Sequence, residues 1–157
     1  MCAVHGRYVL DAVLASPVKP ASLLLRDYSD INVRDGRALI AEKGLEDVAS
    51  FVQADAFDRN SLARVKPRPT LAVVSGLYEL FPDNAIVSRA LHGVGDAVED
   101  GGYLVYTGQP WHPQLEMIAR ALTSHRQGEA WVMRRRTQAE LDQPVEDAGF
   151  RQIAQRI

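Results

Sequence analysis

Asp27 stands at the end of the apolar run Ser22-Leu23-Leu24-Leu25-Arg26, 21 residues after Gly6. In nucleotide-binding α/β folds an acid about 20 residues past a glycine turn accepts hydrogen bonds from ribose hydroxyls. A carboxylate at the end of a buried strand is costly to desolvate without such a partner. A solvated acid in a turn before a helix fits the same spacing, and spacing alone leaves both readings open. Other chemistry-bearing residues also close apolar runs: Asp55, the Ser75-Gly76 pair and the Thr107-Gly108 pair. Glu79, beside Tyr78, could orient a nucleophile or act as a base, or be a solvated acid at a helix start. Trp111 and His112 could wall a substrate pocket; the alternatives are hydrophobic packing for Trp111 and a helix cap for His112. Of the four histidines, His5 lies in the glycine turn and so nearest a ligand, unless it is solvent-exposed. No H-x-x-x-H or C-x-x-C spacing suggests a metal site. Ser75 lacks the G-x-S-x-G context of a hydrolase nucleophile.

Those residues need a frame that gathers strand ends. Residues 6–15 put Tyr8, Val9, Leu10, Val13 and Leu14 on one helical face, which Ser16-Pro17 ends. A strand at 23–27 and a helix capped by Asp30 follow, closed by Gly44-Leu45. Further strands are expected at 48–54, 70–74, 103–107 and 129–135, with helices at 58–64, 86–98 and 113–122. Thr137-Gln138-Ala139-Glu140 reads as a capping box. Pro144 then requires either a restart near Asp142 or a kink. A last strand is expected near 152–156, running antiparallel. Alternating strands and helices imply an α/β, Rossmann-like, mostly parallel sheet with helices on both faces. Ligands of such sheets bind beyond the carboxyl ends of the strands, where strand order reverses. Gly6, Asp27, Asp55, Ser75-Gly76 and Thr107-Gly108 all belong there.

Composition narrows the partners. The 157 residues are 46% hydrophobic and 24% charged, which suits one globular domain. A net charge of -2 gives no bias toward nucleic acid or anionic membrane. The single cysteine, Cys2, excludes an internal disulfide and suits a reducing, cytoplasmic setting. No apolar stretch is long enough to span a bilayer. The run Arg134-Arg135-Arg136 reads as a solvated strand edge.

In order and spacing, several segments resemble class I S-adenosylmethionine-dependent methyltransferases. They are His5-Gly6-Arg7-Tyr8-Val9-Leu10-Asp11, Leu25-Arg26-Asp27-Tyr28-Ser29, Val52-Gln53-Ala54-Asp55-Ala56-Phe57 and Val73-Val74-Ser75-Gly76-Leu77-Tyr78-Glu79-Leu80, with Gly101-Gly102-Tyr103-Leu104-Val105-Tyr106-Thr107 and the stretch from Thr137 to Phe150. The wording around Gly108-Gln109-Pro110-Trp111-His112-Pro113-Gln114 is similar to a bacterial methyltransferase subfamily sometimes joined to an α/β-hydrolase domain. The resemblance implies S-adenosyl-L-methionine as cofactor and a small-molecule methyl acceptor. It implies that His5 and Gly6 end the glycine loop beside the methionine moiety, and that Asp27, with Tyr28 after it, holds the ribose diol. Asp55 would meet the adenine amino group and Ala56 would offer its N–H to the ring. Ser75 and Gly76 would lie beside cofactor and substrate, with Tyr78, Glu79, Trp111 and His112 on the substrate side. No catalytic residue is named, because methyl transfer needs no covalent enzyme intermediate.

The resemblance also has a gap. The family begins with an apolar strand that lies centrally, between the strands ending here at Asp27 and Val74. Only five residues precede Gly6, and Val4 matches the first loop glycine. The reading is therefore of one domain, 1–157, N-terminally truncated, whose sheet a partner chain or N-terminal segment would complete. The rival functions are a non-catalytic methyltransferase-fold remnant or partner subunit, and a nicotinamide-dependent oxidoreductase. G-x-G-x-x-G is absent, with Gly6 supplying its only glycine.

Overall fold

The computed structural model describes residues 6–123 and 130–156. Val4 and His5 lie outside that range. Helix α1 (Arg7–Ala15) follows Gly6 and buries Leu10; strand β1 is Leu23–Asp27. Helix α2 (Asp30–Glu42) is capped by Ser29, whose side chain accepts from Asn32 N, rather than by the expected Asp30, which becomes its first residue. Ser29 has the extended backbone that an N-cap needs. The helix closes as expected, with Leu45 N donating to Ile40 O and Gly44 N to Ala41 O. Strand β2 (Ala49–Gln53) and a short α3 (Arg59–Ala63), capped by Asp58, complete the first half.

Strand β3 (Leu71–Val74) leads through a 3-10 turn, Tyr78–Leu80, into α4 (Asn84–Ala97), and β4 is Tyr103–Tyr106. Helix α5 (Leu115–Ala121) and α6 (Gln138–Asp147) end the described elements. Helix α6 runs on through Pro144 without restarting.

The alternation gives the expected parallel pairing, but in two pieces. β1 pairs with β2 and β3 pairs with β4, both parallel; β1 and β3 do not pair with each other. The two strands flanking the expected central position have thus not closed up. Each piece has its own core. Leu10, Val33, Leu39, Ile40, Ala49 and Phe51 pack between α1, α2 and the first sheet. Tyr78, Phe81, Val87, Leu91, Leu141 and Val145 pack with Val74, Leu104 and Tyr106 of the second.

Two expected strands are not formed among the described residues. Residues 131–136 carry no ladder; an isolated bridge joins Thr123 and Ala130. A backbone bond from Arg134 N to Glu79 O holds this stretch, together with its side chains. Arg134 reaches Pro82 O and Glu140, Arg135 reaches Gln109 O, and Arg136 reaches Asn84, Tyr78 O and Phe81 O. The solvated-edge reading of the three arginines is corrected accordingly, since Arg136 is buried. Residues 151–156 are exposed and carry no ladder, so the expected antiparallel last strand is absent there. Ile153 and Ala154 are adjacent, hence on opposite faces, and the remainder is Arg and Gln. Such a strand has no apolar face to bury.

Candidate functional site

Asp27 sits at the carboxyl end of β1 and is 8% exposed. The turn into α2 holds its side chain: Ser29 N donates to Oδ1 at 2.8 Å and Asn32 Nδ2 to Oδ2 at 3.2 Å. A carboxylate has about four acceptor positions, so each oxygen keeps capacity for a further donor. The β2 end is tied to the same place. Ala54 N donates to Asp27 O at 2.9 Å, and Gln53 Nε2 to Tyr28 O at 3.0 Å. The Tyr28 ring is exposed. Asp55 follows as an exposed acid whose Oδ1 accepts from Phe57 N at 2.8 Å, with Ala56 partly buried beside it.

Gly6 begins α1 with φ 75°, and a Cβ there would lie 2.7 Å from Leu25 Cδ1 of β1. Glycine is favoured here by the left-handed backbone, and without a Cβ it spares the Leu25 side chain from shifting. At the other half, Gly76 N donates to Thr107 Oγ1 at 2.9 Å, which joins the ends of β3 and β4, and Thr107 Oγ1 donates to Ser75 Oγ at 3.5 Å.

Next to this turn is a small hollow of about 10 Å³, the space of one water, lined by residues that include Tyr78, Glu79, Thr107, Gly108 and Arg136. Glu79 is 7% exposed, and its Oε2 is buried without a hydrogen-bond partner among the described residues. The reading of Glu79 as a solvated acid is thereby excluded. Burial pushes the Tyr78 hydroxyl far above its ordinary range. Burial lowers the Arg136 pKa first, and the Arg134 charge lowers it further. Three acceptors around Arg136 hold the 3-10 turn that carries Tyr78 and Glu79 against the start of α4. Sequence reasoning missed this role, because a triple-arginine run carries no signal that one member points inward.

His112 is used locally: Gln114 N donates to its Nδ1 at 3.1 Å, just before α5. Trp111 is exposed and packs in neither core. The structure thus brings Asp27, Tyr28 and Asp55 together at the β1–β2 ends, and Ser75, Gly76, Tyr78 and Glu79 together at the β3–β4 ends.

A family model described as "Putative methyltransferase" matches residues 1–157. The chain belongs to that methyltransferase family. It is 55% identical to "Uncharacterized protein YnbC" of Escherichia coli (strain K12) over all 157 residues, yet spans only 27% of that protein. It is 29% identical over 153 residues to "Endoribonuclease YbeY" of Frankia alni, covering 95% of this chain and 78% of that one. Among solved structures, an O-methyltransferase family protein from Burkholderia thailandensis superposes with TM-score 0.69 at 16% identity, over 94% of this chain and 43% of that chain. This likeness establishes the fold as Rossmann-like α/β. Among the described residues no helix is long and apolar enough to cross a membrane, and no group of three or more His, Cys, Asp or Glu could hold a metal ion.

Proposed function

We propose that this methyltransferase-family chain binds S-adenosyl-L-methionine beyond the carboxyl ends of its strands and serves methyl transfer to a small-molecule acceptor. The observation that carries the reading is Asp27, a buried carboxylate fixed by Ser29 N and Asn32 with acceptor capacity to spare. Its spare acceptor positions suit the two hydroxyl donors of a ribose diol. Gly6 offers close backbone approach, and Asp55 and Ala56 offer an acceptor and an N–H at the neighbouring strand end. His5, Tyr28, Ser75 and Gly76 complete the proposed cofactor set.

Bound S-adenosylmethionine would supply an activated methyl group together with its leaving group. The chain's residues then have to orient the acceptor and exclude water. Glu79 Oε2, which has no partner among the described residues, suits a hydroxyl or amine proton of that acceptor. Tyr78, Trp111 and His112 belong to the same side of the reading. A non-catalytic partner-subunit role is the rival, and the division of the sheet favours it. Calorimetric titration with S-adenosylhomocysteine and with NADH separates the readings. Saturable binding of S-adenosylhomocysteine alone supports methyl transfer, binding of neither supports the partner role, and binding of NADH alone overturns both.

A further inference from the structure

The three consecutive arginines use their donors unequally. Arg134 pairs with Glu140 and also reaches Pro82 O. Arg136 gives its donors to three neutral oxygens, Asn84 Oδ1, Tyr78 O and Phe81 O. Among the described residues the Arg135 side chain bonds only through Nη1, to Gln109 O at 2.8 Å and, at the limit of a hydrogen bond, to Gln109 Oε1 at 3.4 Å. Its Nε and Nη2 are buried and without a partner among the described residues. These two nitrogens share one edge of the planar guanidinium. Their N–H bonds run parallel, the fork that matches a carboxylate. Buried donors of a charged group are costly to leave unpaired, so a fork of this kind calls for a ligand.

The fork lies beside the groups on the acceptor side. Arg134 N donates to Glu79 O at 2.9 Å, so Arg135 leaves the chain one residue from that tie. Gln109, its partner, lines the same hollow as Tyr78, Glu79 and Thr107. Glu79 Oε2 is the opposite case, a buried acceptor with no partner among the described residues. We infer that Arg135 is the receptor for a carboxylate, and that the methyl acceptor is a small hydroxy or amino acid. Arg135 Nε–H and Nη2–H donate to its carboxylate, and Glu79 Oε2 accepts from its hydroxyl or amine. Both are binding contacts. The acceptor class rests on the methyl-transfer reading; the carboxylate site does not. Carboxylate is favoured over phosphate because the open edge offers two coplanar donors, and Glu79 disfavours a second negative charge nearby. The ligand enters past Gln109, Pro110 and Trp111, which are exposed and belong to no helix or strand.

Proton–nitrogen NMR of the 157-residue chain with glycolate, glycolamide, acetate and inorganic phosphate tests this without any cofactor. Glycolate is expected to move the Arg135 Nε–H signal saturably. Glycolamide, which has an amide in place of the carboxylate, should leave it unmoved. Arg135→Lys keeps the charge but loses the fork, and should bind glycolate at least about tenfold more weakly. An Nε–H signal that glycolate does not move, phosphate or glycolamide binding as tightly as glycolate, or an Arg135→Lys chain with the parent's affinity each overturns the inference. If Arg135→Lys does not fold, the comparison of glycolate with glycolamide in the parent chain still decides. Acetate, which lacks the hydroxyl, should bind more weakly than glycolate; equal binding overturns the hydroxy- or amino-acid class. Failure of the underlying reading shows separately: glycolate binding at Arg135 in a chain that takes up no S-adenosylhomocysteine supports the carboxylate site and removes methyl transfer.

Discussion

Asp27 serves two purposes that substitution can separate. Its oxygens hold Ser29 N and Asn32 Nδ2 at the start of α2, and their remaining acceptor positions are the proposed ribose contact. Asp58 does a comparable local job at α3, accepting from Ser61 N at 2.9 Å, with no proposed ligand. Asp27→Ala and Asp58→Ala should both cost about 1 kcal/mol of capping-type stability. Asp27→Ala alone should weaken S-adenosylhomocysteine binding by tenfold or more, because a hydrogen bond to a charged acceptor is worth roughly 1.5–3 kcal/mol. Equal affinities by calorimetry would remove Asp27 from the site. The acid's position was legible because a strand end and a glycine turn set its spacing. Glu79 was legible only as an acid near a strand end. Its burial depends on Arg136, 57 residues later, and on packing that no local pattern encodes.

At the scale of elements, long apolar periods read correctly and side-chain docking did not. Helices α1, α2 and α4 and strands β1 to β4 fall where periodicity placed them. Segment 131–136 has β-like residues, but its arginines find acceptors in three other segments, and that holds it without a ladder. Arg136→Met tests the point: Tyr78 O, Phe81 O and Asn84 Oδ1 all lose their donor, and each acceptor left buried and unsatisfied costs about 1–3 kcal/mol. A chemical-denaturation midpoint unchanged in this variant would show the network to be dispensable. A second element tie links β4 to α6, where Tyr106 Oη donates to Asp142 Oδ1 at 2.5 Å. Burial first, then that bond, raises the Tyr106 pKa. The folded state therefore holds this proton more tightly than the unfolded state, whose tyrosine titrates near about 10. This contribution is fully present below about pH 10 and is lost as pH rises through the folded value. Tm should fall above about pH 10, less steeply in Tyr106→Phe than in the parent; identical slopes would exclude Tyr106 as the source.

At the scale of the molecule, the separation of β1 from β3 among the described residues fits the resemblance, which specifies a strand between them. What holds the two halves together without it was not legible. The structure supplies the answer in α3 and α4, which pack together at Gly93. A Cβ on Gly93 would lie 2.7 Å from Leu62 Cδ1 and 3.2 Å from Arg59 Cα. Arg59 also pairs with Asp96 one turn further on, at 2.5 Å, across an exposed surface where such pairs add little. Close packing at Gly93 is therefore the stronger part of this junction. Leu62 Cδ1 ends a flexible side chain and can swing aside, whereas Arg59 Cα is backbone, so a larger residue must push α3 from α4. Gly93→Val gains some helix propensity, a few tenths of a kcal/mol, against an overpacking cost of about 1–3 kcal/mol. For a domain of this size each kcal/mol lowers Tm by about 2–4 °C. Trimming the nearer obstacle should recover part of the loss, so Gly93→Val with Leu62→Ala should be less damaging than the sum of the single changes. Additive losses in a melting series of the four proteins would mean that Gly93 and Leu62 do not share this contact, and that the halves are joined elsewhere.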